Sequence, residues 1–178
     1  TDDRLADVAG LQARRLAVQW GCDVHVFVER RDPAATVREF GTGEGVVYHY
    51  DQLAAELPPG LPEDKKWPRI VYMRLFAPKF LPGYDRLLYL DADILSLRAE
   101  PAVWTVDLPS GLGAVSDIAT LSKAPQDLKG VSRAAWLASI GVSSGRYLNS
   151  GMLLIDPEKW AQIDFAAELP RYFAAFPD

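Results

Sequence analysis

The chain has 178 residues, 49% of them hydrophobic, so it has the length of one ordinary domain and enough apolar side chains to bury a core. Its formal net charge of −5 disfavours a non-specific nucleic-acid binder, which is normally basic, while leaving room for a small basic pocket for phosphate. A single cysteine, Cys22, excludes an internal disulfide framework and fits a reducing, cytoplasmic setting, and no apolar run approaches the roughly 20 residues that span a bilayer.

Leu5, Ala9, Ala13, Leu16 and Trp20 recur at helical spacing, with Gln12, Arg14, Arg15 and Gln19 on other faces; this predicts a helix that Gly21 stops. Ahead of it, Thr1-Asp2-Asp3 carries no signal-peptide pattern and reads as the end of an earlier element, so a leading strand is expected to be missing from this chain. Val24-His25-Val26-Phe27-Val28 reads as a strand apolar on both faces, the mark of a parallel sheet covered on both sides. Pro33 suits a first helical turn, continued weakly through Phe40. Gly41, Gly43 and Gly45 lead into a strand over 46–50, after which Asp51 is expected to cap a short helical stretch. Prolines and the charged run Glu63-Asp64-Lys65-Lys66 make 57–68 a surface loop.

Residues 69–79 read as a helix with Ile70, Met73 and Ala77 on one stripe, and 86–90 as a short, intensely apolar strand ending at Asp91. A strand over 112–116 precedes a polar stretch, 117–132, expected to be irregular and mobile, and a short helix over 133–140. The strand over 148–155 is expected to be interrupted by Asn149-Ser150-Gly151. Pro157 opens a last helix with Trp160, Ile163 and Ala167 inward and Pro170 kinking or ending it. The alternation predicts one α/β domain over residues 1–178, with a Rossmann-like, mostly parallel central sheet flanked by helices.

In open α/β sheets, ligands bind outside the carboxyl ends of the strands, where Asp91 and Asp93 stand. Carboxylates at i and i+2 of an extended segment point to one side, their α-carbons roughly 6–7 Å apart, a gap that one divalent cation bridges directly or through water. Hard oxygen ligands suit Mg²⁺ or Mn²⁺, which take one or two carboxylates plus substrate phosphates. Ala92 keeps the approach between them open, and the apolar strand before Asp91 holds the pair rigidly. An Asp-x-Asp pair alone is equally a set of solvent-facing acids that cap the next segment. Arg74 offers a planar fork for a diphosphate, or a surface ion pair with an acid such as Asp85. Asn149, read as buried, needs partners, and the small residues after it allow a sugar to approach. Asp117, at a strand end, accepts from sugar hydroxyls or is a loop acid. Asp2 and Asp3 are equally an N-cap pair for the first helix. Tyr89 and Tyr147 read as core, His25 and His49 as structural.

Together these segments carry a resemblance. Asp85 to Leu95, containing Leu87-Leu88-Tyr89-Leu90-Asp91-Ala92-Asp93, resembles the Asp-x-Asp signature of family-eight glycosyltransferases. That family includes lipopolysaccharide galactosyl- and glucosyltransferases and glycogenin. Further segments match in order. Tyr72-Met73-Arg74-Leu75 is similar to the family's Tyr-x-Arg-Leu helix, whose arginine reaches the nucleotide-sugar; Gly113-Ala114-Val115-Ser116-Asp117 is similar to its Gly-Ala-x-x-Asp strand. Tyr147 to Ile155 resembles its Phe-Asn-(Ala/Ser)-Gly-Val-Leu-Leu-Ile strand, Trp160 stands where the next helix has its tryptophan, and Asp2-Asp3 resembles the acidic turn that holds uracil and ribose.

The resemblance implies a GT-A fold and a metal-dependent, retaining transferase that moves galactose or glucose from a UDP-sugar to a glycan or lipid-linked saccharide. It implies Mn²⁺ or Mg²⁺ on Asp91 and Asp93, nucleotide-sugar contacts from Asp2, Asp3, Tyr72, Arg74, Asp91, Ala92 and Asp93, and Asn149 and Asp117 orienting the donor sugar. It implies no nucleic-acid partner and leaves peripheral membrane association open. The family's C-terminal part is expected to be absent, including the histidine that is the third metal ligand, since neither His25 nor His49 has its context. Two alternatives stand beside this reading. One is an inactive fragment or homologue that binds nucleotide-sugar without turnover. The other is a haloacid-dehalogenase-type phosphatase with Asp91 as nucleophile, whose usual Thr or Val is replaced by Leu95.

Overall fold

The computed structural model describes residues 1–63, 68–128 and 130–177; Asp64, Lys65 and Lys66 of the expected loop lie outside them. Helix α1 (Ala6–Trp20) ends on Gly21, whose left-handed backbone lets its N–H return to the Ala17 carbonyl. The buried stripe of α1 is Ala6, Ala9, Gly10, Ala13 and Ala17; it keeps Ala9 and Ala13 of the expected stripe, while Leu5 is 53% exposed and the face is made of small residues. Small residues let the helix lie close on the sheet. A Cβ on Gly10 would stand 2.3 Å from the Tyr48 hydroxyl, which both accepts from the Phe40 N–H and donates to the Phe40 carbonyl.

Strands β1 (Val24–Val28) and β2 (Val46–Tyr50) pair in parallel with Val24 opposite Val46. Asp2 forms a parallel bridge to Glu29 on the opposite edge of β1, where the Thr1 nitrogen donates to Phe27 O (2.8 Å) and Glu29 N donates to Thr1 O (2.9 Å). Strands β3 (Leu87–Leu90), β4 (Leu112–Ser116) and β5 (Leu148–Ile155) form a second sheet, with β5 in the centre and antiparallel to both neighbours. The parallel pairing expected from sequence is thus present in β1 and β2, and β3 and β4 share one direction on either side of a reversed β5.

Several local expectations are corrected. Residues 33–40 form no helix. Asp51 does not cap the 3-10 turn Ala54–Glu56: its backbone is left-handed (φ 55°) and its carboxylate holds Arg30, while buried Glu29 accepts from Leu53 N at 2.6 Å. The stretch 69–79 splits into α2 (Ile70–Met73) and the 3-10 turn Ala77–Phe80, because Pro78 supplies no N–H to continue a helix. The polar stretch 117–132 contains α3 (Ile118–Leu121), capped by Asp117, and the 3-10 turn Pro125–Leu128, anchored by buried Leu128. Helix α4 (Arg133–Ser139) follows as expected. β5 is one strand from Leu148 to Ile155, but its pairing with β4 is interrupted where expected: Ala114 faces Leu153 and Ser116 faces Leu148, so residues 149–152 bulge out opposite Val115. The final helix divides into α5 (Pro157–Trp160) and α6 (Phe165–Ala175): Asp164 caps the second, Ile163 is 43% exposed, and Pro170 lies within α6 without ending it.

Three apolar clusters hold these elements. One joins α1 to β1 and β2; a second joins Leu53, Leu57 and Leu61 to Met73, Phe76 and α6; a third packs Leu153 and Ile155 of β5 on Trp160. Trp160 also donates its indole N–H to the Leu75 carbonyl at 2.9 Å, tying α5 to the residue after Arg74.

His25 and His49 have the structural role read from sequence. They project from the face of β1 and β2 opposite α1, with His25 Nδ1 2.9 Å from His49 Nε2, His25 Nε2 2.8 Å from the Tyr84 hydroxyl, and Tyr84 donating to Asp23 at 3.0 Å. Phe27 stacks on His49 with ring centroids 4.4 Å apart. With both rings neutral, one tautomer assignment satisfies the whole chain: His49 donates to His25, His25 to Tyr84, and Tyr84 to Asp23. A proton on each ring leaves N–H facing N–H. Burial, reinforced at His25 by its neighbour His49, lowers both rings from their ordinary value of 6.5. The unfolded chain therefore takes these protons first. The stabilisation is full above about pH 6.5 and is lost as pH falls through the lowered folded-state values. Urea unfolding as a function of pH should show this loss, and the double variant His25→Gln/His49→Gln should flatten the profile in that window.

Candidate active site

The apolar residues of β3 pair with β5, and the pairing continues one residue further, with Asp91 N donating to Gly151 O at 2.8 Å. Ile94 N then donates to the Asp91 carbonyl at 3.0 Å, closing a turn that leaves Asp93 exposed. Ala92 packs against the cluster of α1 and β1, so it anchors the turn and does not simply leave space between two acids. The geometry presents one half-buried and one exposed carboxylate at the C-terminal end of a half-buried apolar strand.

Arg74, immediately after α2, is the hub of the site. Its Nη1 donates to Ser150 O (2.6 Å) and Ser150 Oγ (3.2 Å) and lies 3.2 Å from Asp91 Oδ1, while its Nε donates to Val71 O at 2.9 Å. The guanidinium carbon sits 5.0 Å from the centroid of the Tyr89 ring, and the Tyr89 hydroxyl donates to the same Asp91 Oδ1. Asp91, not Asp85, is thus its acidic partner. The Arg74 side chain is only 13% exposed and that of Asp91 34%, so the pair is partly buried, and breaking it should cost less than the roughly 3–5 kcal/mol of a fully buried pair. Burial, together with the hydrogen bond to Asp91, pushes the Tyr89 hydroxyl well above its ordinary value, so it remains a donor across neutral pH.

Gly151 sets the spacing of the floor. A Cβ there would lie 2.9 Å from Asp91 Oδ2, 3.0 Å from Asn149 Oδ1 and 3.4 Å from Ile94 Cδ1, so the absence of a side chain lets carboxylate and carboxamide converge. Asn149 is exposed, not buried as expected; its Oδ1 accepts from Gly151 N at 2.8 Å, a local side-chain turn that fixes its direction. Ser116 pairs with Leu148 beyond the bulge in β5, and Asp117 N donates to Tyr147 O at 2.9 Å. Asp117 therefore lies beside the start of β5, near Asn149 in the neighbouring strand. Its carboxylate accepts from Thr120 N (2.9 Å) and Thr120 Oγ1 (3.1 Å), so its immediate role is to cap α3.

The remaining expected residues stand further out. Asp2 accepts from Arg4 Nε (2.9 Å) and Nη2 (2.6 Å), and Asp3 from Arg31 Nε (3.0 Å). Burial alone would raise Asp2, but the hydrogen bond and charge of Arg4 hold it below its ordinary value. Neither caps α1, whose first residue follows Leu5 with no side-chain cap. Tyr72 directs its hydroxyl to Pro62 O (2.7 Å) and its ring edge to Phe173. Tyr147 packs against Trp136. Sequence reasoning missed Tyr89 as a partner of Asp91, although the i, i+2 spacing of a strand places both on one face. It also missed Ser150 as the anchor of Arg74.

Solved structures share this α/β architecture, which is that of the GT-A fold. The whole chain superposes on galactosyltransferase LgtC, solved with donor and acceptor sugar analogues, at a TM-score of 0.75 and 22% identity, covering 63% of that chain. A bifunctional glycosyltransferase, WbbM in its apo form, matches 97% of this chain and 33% of its own at a TM-score of 0.64 and 15% identity. The model of glycosyl transferase family 8 matches residues 44–175, and the chain belongs to that family. This membership argues against the phosphatase alternative.

Among curated relatives, lipopolysaccharide 1,2-glucosyltransferase of Escherichia coli (strain K12) is 37% identical over 103 residues, 57% of this chain and 28% of that protein. Lipopolysaccharide glucosyltransferase WaaO of the same strain is 33% identical over 102 residues, again 57% and 28%. General stress protein A of Bacillus subtilis (strain 168) is 25% identical over 114 residues, 62% and 35%. The matched part thus spans about a third or less of these relatives.

Gly151→Ala tests the convergence directly. The added methyl meets an Asp91 carboxylate that Tyr89 and Arg74 prevent from swinging freely, so overpacking should cost about 1–3 kcal/mol. Combining it with Asp91→Ala should recover part of that loss in urea unfolding; strictly additive effects would contradict the packing described.

Proposed function

We propose that the protein carrying this chain transfers a hexose, glucose or galactose, from a UDP-sugar to a saccharide acceptor, with Asp91 and Asp93 holding a divalent cation at the donor diphosphate. The observation that carries the reading is the pair itself. Among the described residues, Asp91 Oδ2 accepts no hydrogen bond and Asp93 forms no hydrogen bond or ion pair, yet both lie at the end of β3 where a ligand of an α/β sheet binds. The oxygen donors suit Mn²⁺ or Mg²⁺. No group of three His, Cys, Asp or Glu capable of holding a metal occurs among the described residues, so further coordination falls to ligands beyond them, the donor phosphates included. Such an ion, when bound, neutralises charge developing on the UDP leaving group.

This chain's own residues then have distinct tasks. Arg74 adds positive charge to the floor and fixes Asp91. Asn149, its Oδ1 engaged by Gly151, offers its NH₂ group to the donor sugar, and Asp117 supports the adjoining wall. Asp2 and Asp3, beside the edge of β1, serve the uracil and ribose, with Arg4 and Arg31 holding their carboxylates in place. Tyr72 has the least support as a direct nucleotide contact, because its hydroxyl bonds to Pro62. Retention of configuration follows from the family resemblance and implies same-face substitution assisted by the leaving phosphate. The lipopolysaccharide glucosyltransferases among the relatives favour a lipid-linked saccharide acceptor at a cytoplasmic membrane surface. No helix among the described residues is long and apolar enough to cross a membrane.

Calorimetric titration of UDP-glucose and UDP-galactose with and without Mn²⁺ tests the reading in the full-length protein. Binding should need the metal, and Asp93→Asn should weaken metal-dependent binding by at least about tenfold, since even outer partners of metal ligands carry effects of that size. Tight UDP binding unaffected by both EDTA and Asp93→Asn would sink the metal-bridge role. Metal-dependent binding with no sugar transfer would instead favour a nucleotide-sugar-binding homologue.

A further inference from the structure

Asp91 is held unsymmetrically. Its Oδ1 receives the Tyr89 hydroxyl and lies 3.2 Å from Arg74 Nη1, whereas its Oδ2 has no donor among the described residues and points toward the bare Cα of Gly151. The two oxygens of one carboxylate thus have different roles, imposed from two sides. Arg74 reaches Oδ1 from α2 and is itself locked to Ser150 of β5. Tyr89 reaches it from below: its ring packs into the cluster of Leu153, Ile155 and Trp160. A tyrosine in that core position has to reconcile an apolar ring site with a polar tip, and among the described residues that tip donates to Asp91.

From this geometry we propose that Tyr89 is a positioning residue that dedicates Asp91 to one-oxygen ligation. By occupying Oδ1 together with Arg74, it leaves Oδ2 as the oxygen offered to a cation. This inference rests on the reading of Asp91 and Asp93 as cation ligands, and it adds a selectivity device to it. Small hard cations such as Mn²⁺ and Mg²⁺ take compact coordination with single carboxylate oxygens, whereas Ca²⁺ accepts both oxygens of one carboxylate and more ligands in a looser shell. A carboxylate with one oxygen already engaged favours the smaller ions. Releasing Oδ1 removes that bias.

Tyr89→Phe isolates the effect. It keeps the ring in the core and beneath the guanidinium and removes only the hydroxyl. The measurement is Mn²⁺ affinity in the presence of UDP, read by the paramagnetic resonance signal of free Mn²⁺, with Ca²⁺ affinity obtained by competition in the same samples, on the full-length protein. The ratio of the two affinities does not depend on the folded fraction, and a thermal melt without metal reports stability separately. The expected result is Mn²⁺ binding about ten- to hundredfold weaker, with Ca²⁺ weakened less, so that the Mn²⁺/Ca²⁺ ratio falls at least several-fold. Arg74→Lys, which keeps the charge, should lower the ratio less than Tyr89→Phe. If the wild-type protein binds Mn²⁺ with UDP and Tyr89→Phe leaves the ratio unchanged, the positioning role is wrong while the cation site stands. If the wild-type protein binds no Mn²⁺ with UDP, the cation-site reading fails and this inference fails with it.

Discussion

One guanidinium holds the candidate site together. Arg74 joins three separate pieces of chain: it donates to Val71 O in α2, crosses to β5 by donating to the carbonyl and hydroxyl of Ser150, and pairs with Asp91 at the end of β3. An ion pair partly withdrawn from water gains from Coulomb attraction what it loses in hydration only if its other hydrogen-bonding positions are filled. Ser150 and Val71 supply those contacts on the cation, and Tyr89 supplies one on the carboxylate. The arrangement therefore works as a unit, in which each member lowers the cost of burying the others.

The surrounding core exists in a form that keeps this unit in register. Leu153 and Ile155 of β5 pack under Trp160, whose indole N–H is bonded to the carbonyl of Leu75, the residue next to Arg74. The same strand brings Gly151 opposite Asp91 and Asn149 one turn of the pleat away. Packing thus fixes the backbone on both sides of the arginine, and the polar contacts only have to choose side-chain directions. On the other side, the alanine and glycine face of α1 allows close approach to β1 and β2, and Ala92 joins that cluster, so the Asp-x-Asp turn is pinned from below as well.

Much of this was legible in the chain. β2, β4 and β5 fall where β-branched and aliphatic runs are bounded by glycine, proline or aspartate, and β1 falls on an alternation of valines. Those signals are local and strong. The helical stretches were read less well because proline and short caps decide them: Pro78 interrupts 69–79, and Asp164 starts α6 where a single helix was expected. Pairing partners were not legible, since the reversal of β5 between β3 and β4 depends on contacts distant in sequence. In the site, Asp91, Asp93, Arg74 and Asn149 were recognisable by residue type and order. The exposure of Asn149, the engagement of Asp117 with Thr120 and the hydroxyl bond of Tyr89 were not, because each depends on side-chain direction.

Family membership and fold give this chain the core of a glycosyltransferase, and the local chemistry explains why Asp91 is held as it is. The central claim is that Arg74 and Asp91 act as one coupled, partly buried unit and not as two independent surface groups. A double-mutant cycle on unfolding free energy measures this directly, using Arg74→Met, Asp91→Asn and the pair together. Each single change should cost about 1–3 kcal/mol, and the double variant should be more stable than their sum by about 1 kcal/mol or more, within the range found for contacting charged pairs. Losses that add to within about 0.5 kcal/mol, as for distant sites, would contradict the account.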